Sequence, residues 1–257
     1  MNTNLFSLSG LLLSVICFIL VCFTLRAART RIHYIWAFFN LSVALWGFSS
    51  FFLSKGFSHS FVLFWLRVAH AGVIFIAVFF FHFVYLLCKL SYRNLLIFCY
   101  AQGIFFFLLN TTDYFVNPAQ VTLIFNEFYF DRAKGMVIPL FFILWCFFII
   151  LGHIYLFLNY RQSTGFRKNQ LLYLFVGTGV GFLGGITNFF PTFGVPFYPI
   201  GNFTIPLYCI IVTYAILKYQ LLDIRVAITR TGLFLFVYAI VLGIPFGVTS
   251  LSGIKWE

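Results

Sequence analysis

FVLFWLRVAHAGVIFIAVFFFHFVYLL, residues 61–87, holds a single formal charge, Arg67, in an otherwise apolar run. A surface helix of a globular protein keeps one polar face; this segment has none. A helix needs about 20 apolar residues to cross the hydrocarbon core of a bilayer, and residues 61–87 exceed that. Working outward, further segments of this kind lie near 5–25, 34–53, 94–110, 136–159, 170–190, 203–219 and 232–250, which makes eight candidate spans. The segment 94–110 is the weakest, being short and interrupted by Gln102 and Gly103.

The whole chain agrees with the segment. Of its 257 residues, 63% are hydrophobic and 8% charged, and the mean hydropathy is +1.04, whereas soluble domains carry about 25% charged residues. Its 40 phenylalanines fall mostly in helix-length runs. That excludes a transmembrane β-barrel, whose strands alternate apolar and polar over about 10 residues. The expected class is all-α, a polytopic membrane helix bundle. The first segment has neither a basic stretch before it nor a small-residue cleavage site after it, so it is expected to remain as an anchor helix.

The net charge of +11 would suggest nucleic acid in a soluble protein, but its distribution gives another reading. With the N-terminus outside, the inner loops hold Arg26, Arg29, Arg31, Lys89, Arg93, Arg161, Arg167, Lys168, Lys218, Arg225 and Arg230. The outer side holds Lys55, Arg132, Lys134 and Lys255, with Arg67 inside a helix. This is the positive-inside pattern. It predicts a multi-pass membrane protein with the N-terminus outside, whose partners are the bilayer and its anionic lipids rather than nucleic acid. The outer loop 111–135, with QVTLIFNEFYFDRAKG (120–135), predicts a small hairpin. The loop PTFGVPFYPIGN (191–202) reads as stiff and neutral.

No catalytic constellation stands out: there is no glycine-rich phosphate loop, no paired carboxylates at helical spacing and no nucleophile beside a base. The six cysteines lie in or beside apolar runs without a C-x-x-C pair and read as small hydrophobes. The five histidines contain no i, i+4 pair, the helical spacing that suits a metal. No metal or cofactor is expected. Polar groups inside spans are the better clue, because they are costly there. Arg67 and His70, at i and i+3, share a face of the third helix. Trp46, Asn110, Asp113 and Asn188 should lie at similar depth, so these six residues are candidates to line an outward-facing pocket for a small ligand. Alternatively, Arg67 snorkels or pairs with Asp113. His82 and His153 read as packing histidines. Gly177, Gly181 and Gly185 repeat at spacing four, which suits close helix approach, either within the bundle or in a homodimer.

The stretch GFRKNQLLYLFVGTGVGFLGGITNFFPTFGVPFYPIGNFTIPLYCIIVTYAILKYQLLDIRVAITRTG (165–232) resembles the N-terminal seven-transmembrane sensor region of bacterial histidine kinases and related cyclases. The resemblance rests on Arg167-Lys168-Asn169-Gln170, the glycine-rich helix, Asn188-Phe189-Phe190-Pro191, Pro199-Ile200-Gly201-Asn202, Tyr214-Ala215-Ile216 and Leu221-Leu222-Asp223-Ile224-Arg225. Trp46-Gly47, Phe64-Trp65-Leu66-Arg67 and His82-Phe83 look similar upstream. It covers roughly residues 30–230 and implies a seven-helix sensor domain over 1–219. A cytoplasmic linker, 220–231, would follow, and then an eighth span and short tail, 232–257. Leu221, Ile224 and Ile228 share a helical stripe, so the linker is expected to lie along the membrane surface. There Asp223, Arg225 and Arg230 would couple the bundle to an output domain.

No phosphoacceptor-histidine box or ATP-binding glycine motif follows in the sequence, so the resemblance implies a sensory module of a two-component-like system without catalysis of its own. The kinase domain would act in cis, in a longer reading frame, or in trans. Two other readings stand beside it. One is a small-solute transporter, against which count the missing internal repeat and the absence of paired broken helices; the other is a structural membrane partner of a separate kinase.

Overall fold

The computed structural model of the chain describes residues 4–26, 28 and 30–219. The expected linker 220–231, the eighth span 232–250 and the coupling residues Asp223, Arg225 and Arg230 lie outside the described residues. Seven long helices run up and down: α1 Leu5–Arg26, α2 Arg31–Leu53, α3 His59–Leu87, α4 Arg93–Leu109, α5 Val137–Gln162, α6 Gly165–Ile186 and α8 Ile205–Tyr219. A single turn, α7 Phe189–Thr192, lies between the last two. Each expected span within 4–219 is therefore a helix. Five are long and apolar enough to cross a membrane; α4, with 17 residues, is shorter, as its interrupted sequence suggested.

The helix ends are set by local chemistry. Ser58 caps α3 by accepting the Phe61 N–H. At the other end of α3, Arg167 Nη2 donates to the Leu87 carbonyl at 2.7 Å, placing a cation on an orphan carbonyl where the helix dipole favours it. Because the helices alternate in direction, Arg26, Arg31, Lys89, Arg93, Arg161, Arg167 and Lys168 all gather at one end of the bundle. Lys55, Arg132 and Lys134 lie at the other.

Lipid gives apolar helices no hydrophobic reason to associate, so packing and hydrogen bonds must hold them. Two close approaches rest on glycine. A Cβ on Gly47 of α2 would sit 2.7 Å from the Gly10 carbonyl of α1, and one on Gly72 of α3 would sit 2.7 Å from the Ser42 carbonyl of α2. Gly177 and Gly181 pack against Ile211, Val212 and Tyr208 of α8, so this part of the glycine stripe serves packing inside the bundle. Tyr208 Oη donates to Asn40 Oδ1 at 2.7 Å, tying α8 to α2. The core is aromatic: Trp36, Phe80, Phe81, Phe83 and Phe148 are fully buried. Outside, Phe64, Leu108, Ile143, Ile150 and Leu183 are exposed, a surface that only acyl chains cover at low cost. The chain is a multi-pass, all-α membrane bundle.

The loop between α4 and α5 forms the expected hairpin, β1 Val121–Ile124 paired antiparallel with β2 Phe128–Asp131. Phe125 and Asn126 turn at positive φ, and Glu127 N–H donates to the Ile124 carbonyl at 3.0 Å, as in a type I′ turn. The hairpin lies against the bundle. Phe128 stacks on Phe6 with ring centroids 3.8 Å apart, Asn4 Nδ2 donates to the Glu127 carbonyl at 2.6 Å, and Ala133 N–H donates to the Thr192 carbonyl at 2.8 Å.

Candidate functional site

Beneath the hairpin, α2, α3, α5, α6 and α8, together with the single turn α7, enclose a cavity of about 90 Å³, several times what one water requires, about 10–15 Å³. Its walls are largely aromatic, with Trp46, Trp145, Phe182 and Phe189 among them; His70, Asp131, Asn188, Thr178 and Tyr208 supply polar groups.

Of the six residues expected to form a pocket, three line this one: Trp46, His70 and Asn188. The other three form a separate cluster. Arg67 Nη2 donates to Asp113 Oδ1 at 3.0 Å in a largely exposed pair, and Asn110 Nδ2 donates to the Arg67 carbonyl at 2.8 Å. The pairing of Arg67 with Asp113, the alternative the sequence left open, is therefore what the fold adopts. His82 and His153 are packing histidines: His82 Nδ1 meets the Tyr100 hydroxyl at 2.7 Å, and His153 Nδ1 donates to the Ile149 carbonyl at 2.8 Å.

The charged residue that sequence reasoning missed is Asp131. It ends β2 opposite Val121, is fully buried and lines the cavity. Neither carboxylate oxygen accepts a hydrogen bond from the described residues. Its nearest partner is His70, whose Nε2 lies 3.6 Å from Oδ1. The other ring nitrogen of His70, Nδ1, is 3.0 Å from the Leu66 carbonyl; a carbonyl only accepts, so Nδ1 must donate. Asn188 is fixed by similar logic. Its Nδ2 donates to the Gly185 carbonyl at 3.2 Å and to Asn202 Oδ1 at 2.6 Å, leaving Oδ1 buried with no donor. Strand alternation gives no hint of this, since positions 128 and 131 fall on opposite faces of a period-two strand although both are buried.

The hairpin is anchored beside the cavity by Tyr198, whose hydroxyl donates to Glu127 Oε2 at 2.7 Å. Burial, and then the hydrogen bond and charge of Glu127, push the Tyr198 phenol up from its ordinary value, so it stays a neutral donor. The geometry is a chamber with a roof, and among the described residues no group of three metal-ligating side chains is present.

In comparison with known families, the model of the N-terminal 7TM region of histidine kinase matches residues 10–225. Comparison with curated proteins finds no match, nor does comparison with solved structures.

Proposed function

The chain belongs to the family of N-terminal seven-transmembrane regions of histidine kinases, and from that premise we propose that it is a sensory module that binds a small molecule in the cavity under its hairpin. Family membership supports a sensory membrane role. The finer reading is carried by one observation: the chamber is walled jointly by five helices and roofed by a strand. An occupant would touch all of them at once and favour whichever arrangement of the bundle it fits better. A ligand shifts such an equilibrium only by its differential affinity for the two arrangements. A chamber shared among many elements supplies that difference.

In this reading the basic end of the bundle faces the cytoplasm, the N-terminus and hairpin face outward, and the protein sits in the bacterial inner membrane. The signal leaves through the stretch after α8, with Asp223, Arg225 and Arg230 as coupling residues and a kinase domain, in cis or in trans, as receiver.

Gly185 provides the test. It lines the cavity, and a Cβ built there meets no heavy atom within 4 Å, so a larger side chain has room. Joined to a reporter kinase after residue 231, the Gly185→Leu chain should change kinase output about tenfold, the equivalent of 1.4 kcal/mol, at unchanged membrane abundance. Equal output from both chains would remove the cavity from the signalling path.

A further inference from the structure

We infer that the cavity takes a small organic cation, a primary or secondary ammonium on a compact aromatic or apolar body, with Asp131 as its counter-ion. This rests on reading the cavity as the sensory site. Trp46 and Thr192 bring neutral donors to the lining, but four other groups that can donate are already committed: Tyr208 Oη to Asn40 Oδ1, Trp145 Nε1 to the Val73 carbonyl, Ser50 Oγ to the Trp46 carbonyl and Thr178 Oγ1 to the Leu174 carbonyl. The acceptors are not. Both Asp131 oxygens and Asn188 Oδ1 are buried with no donor among the described residues. His70, with Nδ1 given to Leu66, turns Nε2 toward the carboxylate at a distance too long for a hydrogen bond.

A carboxylate taken out of water needs a charge partner and donors. The nearby cation Arg67 is already engaged by Asp113 at 3.0 Å. An anion would be repelled, and a neutral apolar guest would leave the acceptors unmatched. A divalent metal would want more ligands than Asp131 and His70 provide. An ammonium group supplies positive charge and up to three donors, and the aromatic walls suit it twice over, as an apolar lining and as π faces for a cation.

The test uses the full chain in lipid nanodiscs and the tryptophan fluorescence to which Trp46 and Trp145 contribute. Primary amines from methylamine to 2-phenylethylamine are titrated, with 2-phenylethanol as the neutral counterpart. The expected result is saturable binding of at least one aryl amine, tighter than the alcohol by about tenfold or more, as for a buried charge pair. In Asp131→Asn that preference should disappear. No saturable amine binding overturns the inference, as does equal binding of amine and alcohol, saturation by Zn²⁺ instead, or an amine preference that survives in Asp131→Asn. The amine–alcohol comparison needs only wild-type protein, so it stands even where Asp131→Asn does not fold. If Gly185→Leu shifts reporter output while no amine binds, the sensory reading survives and the ammonium assignment fails. If amines bind and output ignores Gly185→Leu, the reverse holds.

Discussion

At the scale of single residues, burial decides what each polar group on the hairpin side of the bundle is worth. The Arg67–Asp113 pair has good geometry at 3.0 Å, but its side chains are 35% and 70% exposed. Exposed pairs contribute about 0–1 kcal/mol. Asn110 makes one neutral hydrogen bond, yet it is buried and ties the end of α4 to the backbone carbonyl of Arg67 in α3; such a hydrogen bond contributes about 0.5–1.5 kcal/mol, to which the space left by the truncated side chain adds. Asp113→Ala should therefore leave thermal unfolding in detergent nearly unchanged, while Asn110→Ala lowers it clearly. A larger loss from Asp113→Ala would make the ion pair structural after all. The sequence placed Arg67 and His70 on one face, and that was right only coarsely. Residues at i and i+3 stand about 60° apart around the helix, enough for His70 to turn into the cavity while Arg67 pairs with Asp113 outside it. Asp131 was not legible because its inward direction depends on the register of a four-residue strand and on which hairpin face meets the bundle. No periodicity in so short a run fixes either.

At the scale of elements, the helices were readable to within a few residues because bilayer thickness dictates their length and charged or turn-forming residues punctuate them. Their packing partners were less readable. Spacing four in α6 announced a close approach without saying to what, and the answer is α8 for Gly177 and Gly181. Gly185, in the same register, has no such neighbour and borders the cavity instead. The contrast makes a prediction. Gly47→Ala would push a Cβ to 2.7 Å from the Gly10 carbonyl, a backbone atom that cannot swing away, so α1 and α2 must separate along their interface. Gly185→Ala meets open space and gains the helix preference of alanine over glycine, about 0.5–1 kcal/mol. Thermal unfolding should fall for Gly47→Ala and hold or rise for Gly185→Ala. If both fall together, Gly185 packs against something and the space beside it is not free.

At the scale of the whole molecule, the fold turns a list of charges into a polarity. Helix alternation places Arg26, Arg31, Lys89, Arg93, Arg161, Arg167 and Lys168 at one end, and Lys55, Arg132, Lys134 and the hairpin at the other. Each basic residue near an anionic leaflet gains about 1 kcal/mol, so an excess of a few on one side sets the orientation. An outward hairpin also suits the chamber, whose contents would then exchange with the exterior rather than the cytoplasm. Single cysteines in a cysteine-free background test this at two exposed sites, Asn126 at the hairpin tip and Lys168 at the start of α6. Asn126 serves better than its neighbour Glu127, which Tyr198 and Asn4 hold in place. In intact cells an impermeant thiol reagent should label Asn126→Cys and spare Lys168→Cys, and permeabilisation should expose the second. Labelling of Lys168→Cys alone would invert the protein in the membrane. Binding of a small cation would then have to be measured from the cytoplasmic side, and the stretch after α8 would emerge where no kinase domain could receive its signal.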